Sequence, residues 1–431
     1  MQFDGDTDRS RRAVLKAAVA LGGTSALSAC LDRTDDDPVP SGDPDAKPPR
    51  QHAWREYVRQ DDHGNTQLPA HQILLYLRLD ADGPPAADDR DALAETLAAL
   101  DRAYEWSHEG LLHSIAYSPA YFDRFDATLP DGIDLPEPTA LSPFESPAFD
   151  RQDAVLHLAS DRADALLEAD RTLRGERETA NGVTVRPLSD VFTVDSRRTG
   201  FVGAGLPARN QDAAGIPDSE PVPEASPLFM GFEAGFRGNQ ATEDYVTVED
   251  GPFAGGTTKV IANLRQRLDD WYGEQSHEER VMEMFSPGHA AAGLVEGVGD
   301  GLGSDSGIDR FVGDIESDAR EHGRVGHAQK AARANRDAEG NVRLLRRHFE
   351  STDDIGSDQK VASLHFPSLQ RRVSEFEAVR RSMNGTDLTE ATPAVRQRVN
   401  NGILEYIFVR RRGNFLVPPR RLRVFPTPRP E

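Results

Sequence analysis

The sequence predicts an α+β protein of two halves with antiparallel sheets, the first half a ferredoxin-like unit. Three observations carry this. The first 206 residues give the order strand, helix, strand, strand, helix, strand, in which helices cover one face of an antiparallel sheet. A Pro-, Ala- and Asp-rich stretch at 207–227 then interrupts the pattern before strands and helices resume. The length of 431 residues exceeds one small domain and suffices for two compact ones.

Each element has its own signal. The apolar run 72–79 (QILLYLRL) reads as a buried strand. Residues 87–104 carry apolar side chains at helical spacing behind an Asp-rich start, so they read as a capped amphipathic helix. Residues 111–117 and 155–158 read as strands, 161–173 as a second helix and 183–192 as the strand that completes the unit. In the second half 257–264 and 359–366 read as strands, and 369–383 and 394–409 as helices. His327 opens a further helix. The Pro/Arg-rich tail from 418 reads as surface chain.

The ends and the charge add context. Ser10-Arg11-Arg12-Ala13-Val14-Leu15-Lys16 has the twin-arginine form, and the apolar segment 18–27 behind it suits the core of an export signal. Leu27-Ser28-Ala29-Cys30 looks like a lipobox, and Cys30 is the single cysteine of the chain. The expectation is a signal over 1–29 and lipidation at Cys30, with extracytoplasmic attachment to the membrane through that lipid alone. The alternative is cleavage near Ala29 with Cys30 incidental. Residues 30–65 are acidic and Pro-rich and read as a disordered tether, with domains at 66–206 and 228–425 and a linker between them. Net charge is −22 with only five lysines, which fits adaptation to high salt; an ordinary acidic protein is the plainer reading. Either way nucleic acid is disfavoured as a partner, because a phosphate backbone requires positive surface.

Common catalytic templates are absent. There is no phosphate-binding P-loop, no dinucleotide G-x-G-x-x-G, no H-E-x-x-H and no G-x-S-x-G. The Gly- and Asp-rich stretch 292–318 does not match a calcium loop. The segment GFEAGFRGN at 231–239 could be a phosphate cradle, a tight turn or the rim of a cofactor pocket. His327 followed by Arg346-Arg347 is weak taken alone: a helix-start histidine and two solvated arginines would account for it.

Five blocks in order change that reading. GLLHSIAYSPAYFDRF (110–125), DAVLHLASDRADALLEADRTL (153–173), GGTTKVIANLRQRLDDWY (255–272, with Trp271), HAQKAARANR…LLRRHF (327–349) and NGILEYIFVRRRGNFLVPP (401–419) are similar to successive blocks of the dye-decolorizing (DyP-type) haem peroxidases. The chain resembles that family over about residues 70–420. The resemblance implies two ferredoxin-like halves packed as a DyP-type dimeric α/β barrel, with haem b held mainly by the second half. His327 would be the axial ligand of the haem iron, tuned by a hydrogen bond to its other nitrogen. Arg346 would be the catalytic cation that polarises peroxide. Leu364 and Phe366 would line the distal side, and Gly231 and Gly235 would keep the backbone close to the cofactor. The family's acid-base Asp, in its G-x-x-D-G motif, is replaced here by Ala234, with Glu233 beside it. Ala262-Asn263 stands where the family has a basic residue that contacts haem.

The resemblance therefore implies a peroxidase that takes hydrogen peroxide and an organic reductant, with activity lowered by the missing acid, and assembly into homo-oligomers. Two other functions compete. One is a haem-binding, haem-relay or sensing lipoprotein without efficient turnover. The other is a scaffold without haem, in which His327 is structural.

Overall fold

The computed structural model describes residues 37–61, 64–232, 240–295, 306–355, 357 and 359–431. Arg11, Arg12, Cys30, Glu233, Ala234 and Gly235 lie outside the described residues.

Eight strands form one closed antiparallel barrel. In the first half these are β1 (His71–Leu79), β2 (Leu112–Tyr117), β3 (Ala154–Ser160) and β4 (Phe192–Phe201); in the second they are β5 (Thr257–Gln266), β6 (Phe349–Asp353), β7 (Lys360–Gln370) and β8 (Ile407–Val417). Each half adds two main helices: α1 (Ala87–Ala103) and α2 (Ala163–Leu173), then α3 (His327–Ala334) and α4 (Val373–Ser382). Around the barrel the order is β6-β4-β1-β3-β2-β8-β5-β7, and β7 pairs back to β6. Each half thus contributes four strands in the order fourth, first, third, second, which is the ferredoxin-like order.

Closure gives every strand an inner and an outer face. On β1, Ile73, Leu75 and Leu77 pack outward with α1 and α2. Leu74 and Tyr76 point inward, onto Val155, Ile261, Phe349 and Phe415. The strand is therefore apolar on both faces, as the uninterrupted run 72–79 suggests. At the start of α1 the carboxylate of Asp89 accepts from the Ala86 N–H at 2.8 Å.

Within each half the ladders are long, but the seams between halves are short. β8 meets β2 at Leu416 opposite Tyr117, and β6 meets β4 at Glu350 opposite Phe201. Chain outside the barrel clamps the first seam. The Gln51 side chain donates to the carbonyls of Ile115 and Pro418, and accepts from the Ile115 N–H. Phe425 is fully buried beside Tyr117 and Tyr121, and the Tyr117 hydroxyl donates to the Arg423 carbonyl at 2.7 Å.

Five sequence expectations are corrected. The tether does not run to 65: Gln51, His52 and Trp54 are buried, because they cover the barrel seam and its end. The tail after 418 is not surface chain, for the same reason. The stretch 207–227 is not a free linker, since Ala213, Ile216 and Val222 are buried in the second half and Ala214 bridges to Val361 on β7. Two elements also move. Asn181 and Gly182, both at positive φ, turn a two-residue hairpin, and Pro187 follows, so the last strand of the first half starts at Phe192 rather than Val183. Residues 394–409 are not a helix: Asn400 and Gly402 take left-handed φ of 58°, and the chain turns into β8.

The barrel interior also holds polar and charged groups. Arg198 and Asp150, both fully buried, form a two-pronged ion pair at 2.6 and 2.9 Å, and Arg198 lies 3.7 Å over the Tyr76 ring. His157 shares a 2.7 Å hydrogen bond with Gln72, and among the described residues neither ring nitrogen of His365 has a partner. Among the same residues Lys259 reaches only the Ser114 hydroxyl, at 3.1 Å. Burial, and then Arg347, push its amine down to about 7. Below pH 7 both the folded and the unfolded amine carry a proton, and the burial penalty is complete. Between 7 and the ordinary 10.5 only the unfolded amine is protonated, so stability rises with pH through that window. Lys259→Met should therefore unfold in more urea at pH 7, by about 1–4 kcal/mol, with an advantage that shrinks towards pH 10.5. A difference independent of pH would contradict this assignment.

Candidate functional site

The site lies outside the barrel, where α3 faces β7. Gly326 and His327 open α3, and the fit there is close. A Cβ on Gly326 would fall 1.7 Å from the Phe285 carbonyl oxygen. Gln329 ties the first turn down: its amide donates to the Asp318 carboxylate at 2.6 Å and to the Phe311 carbonyl at 2.7 Å. One turn beyond His327, Lys330 is buried and donates to the Asn401 carbonyl, the Asn401 side chain and the Met383 carbonyl. Gly402 brings the β8 approach against the helix start: with φ at +58°, its Cβ position lies 3.0 Å from the Cα and N of His327.

His327 is neither fully buried nor exposed, and it borders a space, the chamber, within electrostatic reach of Arg346 and His348. Burial first, and then the charges of Lys330, Arg346 and His348, hold its imidazole down at about 3. It is a neutral ring with a lone pair to offer at any ordinary pH. Among the described residues the hydrogen bond expected to tune its second nitrogen is not found, and none of the charges that shift the ring is a carboxylate. No group of three or more His, Cys, Asp or Glu among the described residues could hold a metal ion.

Arg346 follows from strand alternation. The pair Leu345–Arg346 adds to the edge of β7, with Arg346 opposite Ser368 and its N–H donating to the Gln240 side chain at 2.8 Å. Arg347 turns the other way: it lies 3.9 Å over the Trp54 ring and pairs with Glu243 at 3.1 Å. Arg346 makes no ion pair among the described residues, and its Nε has no hydrogen-bond partner. Burial pulls its guanidinium down to about 10, so it stays charged at neutral pH. A buried cation without a counter-charge is costly, and such a group invites an anion or an electron-rich ligand.

The apolar wall comes from β7. Ser363 and His365 are turned from the chamber, whereas Leu364 and Phe366 lie on the outer face. The Phe366 ring stacks on His348, with centroids 6.1 Å apart and planes at 22°. On the neighbouring strand Ala262 pairs with Phe366, and Asn263 pairs with His365. The chamber-facing residue at the family's basic position is therefore alanine.

The structure thus brings together His327, Arg346 and Phe366, with Leu364 on the same face. Gly231 is placed elsewhere: it holds a φ of +87° under Tyr272, whose hydroxyl would be 3.0 Å from its Cβ. Phe232 packs on Phe285 with centroids 5.7 Å apart, so that end of the motif reaches the frame around Gly326. Sequence reasoning missed His348 and Lys330. The signal for His348 was strand alternation, which puts it on the same side as Arg346.

These groups fit a haem. A neutral imidazole suits an axial position, an unpaired guanidinium suits the charge of propionates or peroxide, and Leu364 and Phe366 suit an apolar face.

A family model described as a family of unknown function, DUF7405, matches residues 69–419. The chain belongs to the DUF7405 family. No curated protein matches it. Solved structures similar to this DUF7405 chain include the encapsulated DyP-type peroxidase from Mycobacterium smegmatis. That match has 16% identity and a TM-score of 0.56, over 87% of this chain and all of the other. A variant of DypB from Rhodococcus jostii RHA1, in complex with heme, matches with 16% identity and a TM-score of 0.52, over 87% and 98%. Ferric DtpA from Streptomyces lividans matches with 19% identity and a TM-score of 0.51, over 82% and 90%. The DUF7405 chain has the DyP-type fold.

The approach of Gly402 to His327 can be tested directly. Gly402→Ala should lose about 1–3 kcal/mol in urea unfolding, from its left-handed backbone and its contact with the helix start. Gly340→Ala, at φ +86° with open space around its Cβ, supplies the backbone-only control and should lose less. Equal losses would contradict the contact.

Proposed function

We propose that this DUF7405 protein is a haem-dependent peroxidase that reduces hydrogen peroxide and oxidises an organic compound. The observation that carries the proposal is a neutral, half-buried His327 beside Arg346, a half-buried cation without an ion-pair partner among the described residues. The DyP-type fold supports it. Haem b is the cofactor we propose, with His327 as its axial ligand; when bound, it would supply the iron that passes electrons from the organic reductant to peroxide.

The chain's own residues do the rest. Arg346 orients peroxide and stabilises negative charge as it builds on oxygen. Leu364 and Phe366 keep bulk water from the reacting oxygen, which strengthens the field of Arg346. Lys330 stays fixed by three acceptors and holds the helix start in place. Export through Arg11 and Arg12 and anchoring at Cys30 belong to the same proposal, as do a salt-rich setting and homo-oligomeric assembly. Among the described residues no helix is long and apolar enough to cross a membrane.

A second reading has one observation in its favour. Among the described residues no carboxylate bears on His327, Arg346 or His348, and Ala234 stands where the DyP-type peroxidases have their acid. That reading is a haem-binding or haem-sensing protein with little turnover.

Steady-state kinetics separate the two readings and test Arg346. In the hemin-loaded protein Arg346→Leu should lower kcat/KM for hydrogen peroxide by about 10²–10³ and leave the Soret band in place. A coloured wild-type protein without turnover would favour the second reading. An Arg346→Leu protein as fast as wild type would remove Arg346 from the mechanism.

A further inference from the structure

The peroxidase reading leaves a chemical gap. Breaking the O–O bond requires a group that takes a proton from one oxygen and returns it to the other, and the family's carboxylate is not in this sequence. We propose that His348 fills this role, an imidazole that moves the proton between the two oxygens of hydrogen peroxide beside Arg346. The proposal rests on the haem reading above.

Placement is the first argument. His348 is two residues from Arg346 on an extended segment, so both side chains lie on one side, while Arg347 between them turns to Trp54. Its ring stacks on Phe366, one of the two apolar residues on the outer face of β7. His348 also bears on the ionisation of His327, across the chamber on α3. Three elements thus bring His327, Arg346, His348 and Phe366 to one space.

The second argument is what the imidazole lacks. Its Nδ1 is buried without a hydrogen-bond partner among the described residues, and a buried polar atom left bare calls for an explanation. Among the described residues the charged or titratable groups that bear on it are Arg346 and His327, and no carboxylate is among them. Burial first, and then Arg346, hold the ring down at about 3, so it is neutral in the resting protein. A neutral imidazole has one bare nitrogen and one N–H, and can both accept and donate. A ring so reluctant to keep a proton takes one only while a peroxide anion sits beside it, and then gives it up.

The step balances. One oxygen of hydrogen peroxide gives its proton to the bare nitrogen of His348. The O–O bond breaks, and the departing oxygen takes that proton and leaves as water. The organic reductant gives up the two electrons that reduce peroxide, and a bound haem would relay them. The same reductant supplies the two protons with which the remaining oxygen becomes a second water. The sum is one peroxide and one two-electron donor giving two waters and the oxidised donor.

The test uses cyanide as well as peroxide. Hydrogen cyanide must lose its proton before cyanide binds a ferric iron, and a base in the chamber accelerates that loss. Hemin-loaded full-length wild type, His348→Gln and His348→Ala would be mixed with cyanide at pH 7 and followed at the Soret band. Both variants should keep haem at the wild-type stoichiometry. Their cyanide association and their kcat/KM for peroxide should both fall by about 10²–10⁴. Free imidazole should restore part of the lost rate in His348→Ala and none in His348→Gln. Wild-type rates in both variants would overturn the assignment, as would slow variants that have lost haem or that imidazole does not rescue, since packing against Phe366 would then be the whole role. A wild-type chain that takes up no hemin would overturn the haem reading and this proposal with it. A wild-type chain that binds hemin, with His348 variants unchanged, would overturn this proposal alone.

Discussion

Closure of the sheet along two short seams is the constraint on which the rest depends. Each half forms four strands with long internal ladders, but the halves meet at Leu416 opposite Tyr117 and at Glu350 opposite Phe201. An open sheet would leave unpaired backbone at both edges of each half. The molecule avoids that by joining the halves and then clamping one seam with distant chain. Gln51 reaches both sides of it, and Phe425 packs on Tyr117. A closed barrel also fixes which side chains point in and which point out.

That alternation creates the site. On β7, Ser363 and His365 go one way, while Leu364 and Phe366 go to the chamber. In the segment before β6, Arg346 and His348 go to the chamber while Arg347 goes to Trp54. Across from them α3 presents His327, held by Gly326, Gln329 and Gly402. The electrostatics follow from burial among cations. His327 and His348 are kept neutral, and Arg346 keeps its charge with no acid among the described residues to answer it. Such a chamber is poor as a folding device and suitable as a place for a charged or electron-rich ligand.

What the sequence made legible was local. The first three barrel strands and both helices of the first half fall within a residue or two of their expected bounds, because periodicity and turn residues decide them. The misses have physical causes. Asn181-Gly182 makes a hairpin that displaced the next strand, and the left-handed Asn400 and Gly402 broke a stretch that looked helical. Residues 48–58 and 418–425 look like tether and tail because their composition is polar and Pro-rich. Their burial depends on a seam between strands far away in sequence, which no local window contains. At the site, His327, Arg346, Leu364 and Phe366 came from resemblance to a family and share the chamber's faces, whereas Gly231 is under Tyr272. His348 was readable from alternation alone. The polar filling of the barrel, with Lys259 and an unpartnered His365, could be recognised only once inside and outside were known.

The central claim is that His327 is a haem ligand in a chamber built to hold that cofactor. The most direct measurement is an absorption titration of the full-length protein with hemin, beside His327→Ala. The account predicts a Soret band that saturates at one haem per chain in wild type, with the spectrum of a histidine-ligated ferric iron that His327→Ala does not give. A folded wild-type protein that stays colourless, or a His327→Ala protein with the wild-type spectrum, would contradict it.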